Sequence, residues 1–313
     1  MSRNFEIATI KPNHEMAEHH YGKSGVKVLH VVRNGLVYSV KEFEVTTFLT
    51  LSSQKDYLKG DNSDIIATDS QKNTVYILAK KYGVKSPEDF AILLSKHFLS
   101  TYNHVTKVAV GVEELTWNRI TYDDRGDSQK QHNHAFIHVP SCKRFTNVTL
   151  QRGEKSATVV SGMKDMRLLK TTQSSFVNFV DDAYRTLPDA SDRIFSTVVN
   201  CSWEYSKDCQ VDYDKGWDLV KNCILYNFAG DLGRGVPSPS VQHTLYLAEK
   251  EVLEKVGDIK SIEMTLPNKH YVNFDFGKFK DLVKISGEET VFLPLDKPSG
   301  IIYLKLSRKV NKL

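Results

Sequence analysis

Residues 26–51 read VKVLHVVRNGLVYSVKEFEVTTFLTL, two runs rich in Val, Thr, Phe and Tyr that flank Arg33-Asn34-Gly35. Asn-Gly readily takes the positive φ angles of a tight hairpin turn, so Val26 to Val32 and Leu36 to Leu51 are predicted to form a long antiparallel strand pair. Downstream, the apolar period lengthens from two to about 3.6 residues. Val75, Leu78, Ala79 and Tyr82 recur at helical spacing over Gln71 to Tyr82, behind Ser70. Ser86-Pro87-Glu88-Asp89 starts a second helix, with Ser suited to the cap and Pro to the first turn. Its Phe90, Leu93, Leu94 and Phe98 form one stripe. Val105 to Trp117 returns to alternation, and Ala135 to Val139 is predicted to pair with it across the polar stretch Asp123 to Gln131.

The first half thus reads as two strands, two helices and two strands, and the second half repeats the order. Asn147 to Leu150 and Ala157 to Leu169 read as strands, Ser174 to Tyr184 as a helix, and Phe195 to Tyr205 with Trp217 to Phe228 as a hairpin. Ser238-Pro239 opens a helix carrying Val241, Leu245, Ala248, Val252 and Val256, followed by strands over Ile259 to Leu266 and Tyr271 to Phe276. Ile66-Ala67-Thr68-Asp69-Ser70 and Leu169-Lys170-Thr171-Thr172-Gln173-Ser174 echo each other at the two predicted helix starts. The reading is an α+β fold of two like units, residues 1–145 and 146–313, each an antiparallel sheet with paired helices on one face. Such sheets keep open edges, which predicts an obligate oligomer.

Composition narrows the function classes. The chain has 313 residues, 40% hydrophobic and 26% charged, enough for two domains of about 150 residues each. No apolar run reaches the roughly 18 to 20 residues of a membrane span. The first twenty residues carry Arg3, Glu6, Lys11, Glu15 and Glu18 without an apolar stretch, so neither secretion nor membrane insertion is expected. Cys142, Cys201, Cys209 and Cys223 make no C-x-x-C pair, which favours reduced thiols. The net charge is +4, with basic residues scattered among acidic ones, and nucleic acid is not expected as a partner. Lys305 to Lys312, the one dense basic stretch, reads as a tail.

Three segments carry candidate chemistry. Thr68-Asp69-Ser70 falls where free N–H groups and the helix dipole favour an anion, and capping by Asp69 or Ser70 is the structural alternative. Lys23, in Tyr21-Gly22-Lys23, is by itself a surface charge, and with Thr68 and His270 beside it becomes a candidate base. His270 lies in Leu266-Pro267-Asn268-Lys269-His270-Tyr271, between two predicted strands, where a strand edge or turn aims the imidazole. Asn268, two residues earlier, shares its side if the segment is extended, putting an amide and an imidazole in one pocket.

Tyr21-Gly22-Lys23, Ala67-Thr68-Asp69-Ser70, Ser240-Val241-Gln242 and Leu266 to Tyr271 together resemble the urate oxidase family, over nearly the whole chain. The resemblance implies tandem T-fold domains in a homotetramer around a tunnel, with active sites at subunit interfaces and neither metal nor organic cofactor. It implies a step of purine degradation in which urate, dioxygen and water give 5-hydroxyisourate and hydrogen peroxide. Matched residue to residue, the purine clamp falls on Arg193 and Gln242. Arginine's planar fork suits an anionic purine edge, and a glutamine amide offers a donor and an acceptor to the opposite edge. Phe176 becomes the stacking platform, and Leu187 and Val241 line the ring. Thr68 and the Asp69 N–H come from the neighbouring subunit, and Asn268 stands beside dioxygen. Lys23, Thr68 and His270 form the implied proton relay. Asn311-Lys312-Leu313 resembles the C-terminal S-K-L address read by the peroxisomal import receptor, with Asn where a small residue is usual.

The rival reading is a zinc-dependent purine- or pterin-processing T-fold enzyme using His132, His134 and His138, which share one face of an extended strand. No Cys or carboxylate stands close in sequence to complete such a site. Flavin or nicotinamide use is disfavoured, because Gly230, Gly233 and Gly235 do not follow a strand with G-x-G-x-x-G spacing.

Overall fold

The computed structural model describes residues 14–124, 127–207, 211–283 and 290–309. Cys209 and the Asn311-Lys312-Leu313 tripeptide therefore lie outside the described residues. The opening hairpin forms as β1 (Tyr21–Asn34) and β2 (Val37–Leu51), joined across Gly35 and Leu36, with Gly35 at φ 56°. A short helix, α1 (Lys55–Lys59), precedes α2 (Thr68–Tyr82) and α3 (Pro87–Thr101). Strand β3 (Val105–Leu115), hairpin β4 (Asn118–Asp124) and β5 (Asp127–Ile137), and β6 (Lys143–Gln151) follow. The second half holds β7 (Thr158–Lys170), β8 (Phe195–Tyr205), α4 (Tyr213–Ala229), α5 (Val241–Lys255), β9 (Ile259–Asn273), β10 (Phe292–Leu295) and β11 (Ile301–Ser307).

Among the described residues one antiparallel sheet runs β1-β2-β3-β6-β7-β8-β9, with β10 and β11 both pairing β9. Strands β1, β2, β3 and β6 with α2 and α3 form one unit, and β7, β8, β9 and β11 with α4 and α5 form its counterpart. The duplicated order expected from the sequence is therefore present, and the fold is α+β with tandem units. The alternating strands bury one face: Val45, Leu49, Val108, Val110 and Val148 in the first half, Met163, Val199, Trp203, Ile262 and Met264 in the second. Leu78, Phe90, Leu94 and Phe98 cover the first set, and Val220, Ile224, Leu245 and Val252 the second.

A buried charge network ties the units together. Arg144 on β6 donates to Glu88 of α3 at 2.9 Å and to Asp214 of α4 at 2.7 Å. Ser161 on β7 donates to the other Glu88 oxygen at 2.6 Å. Arg144 and Glu88 are buried in it while Asp214 reaches solvent, and the Arg144 Nε is left without a partner among the described residues; losing Glu88 or Arg144 would strand the other's charge away from water.

Four expectations are corrected. Ala135 to Val139 does not pair with β3; β5 pairs with β4 as a separate two-stranded sheet, and β3 is already flanked by β2 and β6. Trp217 to Phe228 is no strand but lies in α4, where Trp217, Val220, Ile224 and Phe228 are buried at helical spacing and Asp212 caps the first turn. Ser174 to Tyr184 is no helix. Its backbone bonds go sideways to Ser238 and Ala190, and Gln173 and Asn178 adopt positive φ. The two strands expected at Ile259 to Leu266 and Tyr271 to Phe276 are one, β9, which places Asn268 and His270 within a strand and not in a turn. Pro267 is tolerated there because β9 changes partner, pairing β11 up to Pro267 and β10 from His270. In addition, α2 begins at Thr68, three residues before the expected start.

Candidate active site

One group of candidates sits at the β1 edge. Gly22 and Lys23 face Phe48 and Thr47 of β2, and a Cβ on Gly22 would lie 1.7 Å from the Thr47 carbonyl oxygen. Only glycine permits that approach. The Ile66 N–H donates to the Tyr21 hydroxyl at 2.8 Å, Thr47 Oγ1 donates to Gln71 Oε1 at 2.8 Å, and Gln71 Nε2 donates to the Ile66 carbonyl at 3.3 Å. These bonds dock the start of α2 against β1 and β2, next to Lys23.

The N-terminus of α2 is uncapped by any side chain, because Ala67 occupies the cap position. Ser86, Asp212 and Ser240 each accept a backbone N–H at the starts of α3, α4 and α5. Asp69, offered as a cap from sequence, instead accepts from Lys72 Nζ at 2.6 Å and Asn73 Nδ2 at 3.0 Å. Lys72 is the main reason its carboxyl is held below the usual range, and the charge of Lys23 adds to it. The first-turn N–H groups are thus left for an external acceptor.

The other group lines a cavity of about 420 Å³ that includes Phe176, Leu187, Arg193, Asn268, His270 and Tyr271. Phe176 exchanges two backbone hydrogen bonds with Ala190, at 2.8 and 3.0 Å, and its ring stacks on Phe179 at 4.5 Å with 16° between planes. The Arg193 guanidinium carbon lies 5.2 Å from the Phe176 ring centroid. Burial lowers the Arg193 pKa from the usual guanidinium value, with no charge compensating, so this cation favours an incoming anion. Asn268 and His270 alternate on β9, as expected for an extended segment, and the Asn268 N–H donates to the Gly300 carbonyl at 2.8 Å. An aromatic face, a half-buried guanidinium, an amide and an imidazole converge here, a combination suited to a flat, anionic heterocycle.

Val241 and Gln242, the first two residues of α5, do not line this cavity but are anchored to its wall. Ser238 donates its N–H to the Gln173 carbonyl at 2.8 Å and accepts from the Ser175 N–H at 3.0 Å, so the approach to α5 runs beside the segment that carries Phe176. Val241 is buried and Gln242 exposed.

Within one chain the two groups do not meet. From β1, which carries Lys23, to β9, which carries His270, the sheet order β1-β2-β3-β6-β7-β8-β9 spans roughly 29 Å at about 4.8 Å per strand. Lys23, Thr68 and Asp69 form one group and the residues of the Phe176 cavity another.

The Uricase family matches residues 19–149 and 159–303, a span that contains every residue of both groups. The chain belongs to the uricase family. The uricase of Drosophila pseudoobscura pseudoobscura is 52% identical over 312 residues, covering 95% of this chain and 90% of its own. That of Oryctolagus cuniculus is 45% identical, covering 97% and 99%. The crystal structure of uricase from Arthrobacter globiformis superposes with a TM-score of 0.84 at 30% identity, over 96% of this chain and 98% of its own. The uricase match breaks only between 149 and 159, the turn between β6 and β7 that separates the two units.

Sequence reasoning missed Asp192, next to Arg193, whose carboxylate accepts from Thr172 Oγ1 at 2.6 Å and the Ser174 N–H at 3.4 Å. It also missed Lys170, whose Nζ donates to the Val236 carbonyl and to Ser238 Oγ. The echo of Thr68-Asp69-Ser70 in Thr171 to Ser174 was the available signal, though it marks a loop and not a helix start. Of the rival histidines, His132 and His134 come together, their ring centroids 4.6 Å apart, while His138 is bound elsewhere. His132 Nδ1 accepts from the His134 and Ala135 N–H groups, while His138 Nδ1 lies 2.9 Å from the Thr116 carbonyl. Among the described residues no group of three His, Cys, Asp or Glu side chains is spaced to hold a metal ion.

Proposed function

We propose that the chain is a urate oxidase, oxidising urate with dioxygen and water to 5-hydroxyisourate and hydrogen peroxide, and that each active site is completed by a second copy. The observation that carries the second part is the separation of Lys23 and Thr68 from His270 along the sheet. Two copies arranged head to tail bring the β1 edge of one to the Phe176 cavity of the other, and a homotetramer built from such pairs encloses a tunnel. The atoms balance: one urate, one dioxygen and one water give one 5-hydroxyisourate and one peroxide, with two electrons passing from the purine to dioxygen.

In this reading urate lies on Phe176, a contact worth about 1 to 3 kcal/mol by analogy with base stacking on aromatics. Arg193 holds its anionic edge bidentately, Gln242 holds the opposite edge, and Leu187 and Val241 close the sides. The unclaimed N–H groups at Thr68 and Asp69 of the second copy receive the five-membered ring. Lys23, Thr68 and His270 relay the proton that makes urate a dianion, and Asn268 holds dioxygen above the ring. A division into two domains in the turn between β6 and β7, later than the expected 145/146, which falls inside β6, and a peroxisomal address at Asn311-Lys312-Leu313 belong to the same proposal.

The deciding experiment follows urate absorbance, oxygen uptake and peroxide in one sample of purified protein with excess chelator. Equal loss of urate and oxygen with matching peroxide is the expected result. Urate left intact until zinc is restored would overturn it in favour of the metal-dependent rival.

A further inference from the structure

Two strips of chain that reach the Phe176 cavity, 172–176 with Phe176 and 189–193 with Arg193, lie beside a third, 236–242, which carries Val241 and Gln242 and does not itself line the cavity. The first two are joined directly, by the Phe176–Ala190 backbone pair and by the Asp192 carboxylate on Thr172 and Ser174. The third is joined to the first through Ser238, in the parallel bridge Ser174–Ser238, and just before it Gln173 Nε2 donates to the Arg234 carbonyl at 2.7 Å.

Beneath that bridge lies the ammonium group of Lys170, the last residue of β7. It donates to the Val236 carbonyl at 2.8 Å and to Ser238 Oγ at 2.7 Å. Ser238 is 1% exposed, and its hydroxyl also accepts from Thr244 Oγ1 of α5 at 2.8 Å. Lys170 is half-buried over the Phe195 and Phe228 rings, at 5.9 and 5.7 Å, so its stem has little room to move. Burial lowers the Lys170 pKa from its usual value, and the charge of Asp192 acts against that shift. With the two backbone bonds of Ser238, this side chain helps fix where the 236–240 segment enters α5, whose second residue is Gln242.

We infer that Lys170 is a positioning residue for substrate, acting through Ser238 to hold Gln242 at the purine edge opposite Arg193. This rests on the urate oxidase reading. It gives the two edges of the clamp different direct supports, Asp192 beside Arg193 and Lys170 beneath the approach to Gln242, linked by the charge of Asp192 acting on Lys170.

The test is a double-mutant cycle between Lys170→Met and Gln242→Ala, read as KM for urate and kcat, with the thermal midpoint of each variant measured alongside. Lys170→Met is expected to raise KM about tenfold and to leave kcat within about threefold, because it removes binding and not the relay. In the Gln242→Ala background the same change is expected to alter KM by less than about twofold, the amide it positions being gone. Lys170→Arg, which keeps the charge and the donors, is expected to recover most of the loss. If Lys170→Met does not fold, Ser238→Ala replaces it in the cycle, since it deletes only the hydroxyl that Lys170 holds. An unchanged KM, or an equal rise in KM in both backgrounds, would overturn the inference. Wild-type protein that does not oxidise urate would instead overturn the reading on which it rests.

Discussion

The Arg193 guanidinium stands 5.2 Å from the centroid of the Phe176 ring, across a cavity whose far wall carries His270. A cation held over an aromatic face and lowered by burial with no compensating charge is prepared for an anion that also stacks. Replacing Arg193 by Ala removes a charged, bidentate contact, and is expected to weaken urate binding by about 1.5 to 3 kcal/mol. Anaerobic binding of urate checks this; affinity equal to wild type would remove Arg193 from the site.

In the proposed mechanism Lys23 belongs to the relay and not to the clamp. Lys23→Met should lower kcat by about 10² to 10⁴, the usual contribution of a positioned base, with urate affinity nearly intact. Rapid-quench turnover together with the same binding measurement separates the two effects. A large loss of affinity with normal turnover would place Lys23 among the binding residues.

Gly22 has a backbone reason to be glycine, since a Cβ there would meet the Thr47 carbonyl at 1.7 Å. Gly22→Ala must push β1 away from β2, and is expected to cost about 1 to 3 kcal/mol in urea unfolding. It also displaces Lys23, so activity should fall further than the stability change explains.

Glu249 on α5 is fully buried, and among the described residues its carboxylate oxygens have no well-formed hydrogen bond, the Met264 and Leu306 N–H groups being its nearest backbone donors. Burial, with Glu263 adding, pushes its pKa up to about 8, against the weaker pull of the Met264 and Leu306 N–H groups. In the unfolded chain a Glu titrates near about 4.3, so between that value and about pH 8 the folded state alone holds the proton. Stability from this group is therefore full at low pH, falls as pH rises through that window, and is level above it. Glu249→Gln should abolish that slope, gaining on wild type by a few kcal/mol at most when urea unfolding at pH 9 is compared with pH 5. An equal difference at both pH values would show that Glu249 is ionised throughout.

Much of the architecture was legible because local and global signals agree. The hairpin at Gly35, the Ser86-Pro87 start of α3 and the stripe from Val241 to Val256 each carry a turn, cap or period that the fold uses directly. The errors fall where tertiary bonds override the local pattern. Trp217 to Phe228 is apolar and aromatic enough for a strand, yet its 3- and 4-residue spacing and Asp212 cap make it α4. Ser174 to Tyr184 looks helical behind Thr171 to Ser174, but Ser238 and Ala190 capture its backbone groups and hold Phe176 open to the cavity. Lys170 was illegible for a related reason: nothing near it in sequence reveals that Val236 and Ser238 lie above it. The proposal of a two-part site came from the family resemblance, and the place of β1 and β9 far apart in the sheet order supports it.

The most direct test of a shared site is complementation between two inactive variants. Chains carrying Lys23→Met and chains carrying Arg193→Ala are unfolded together, refolded as a mixture and assayed for urate oxidation. If each site takes Lys23 and Thr68 from one copy and the Phe176 cavity from another, random pairing restores about one intact site in four, and activity should rise toward that fraction. Activity no greater than the sum of the two separate variants, in a mixture shown to have exchanged subunits, would mean that each site lies within one chain and would contradict the account.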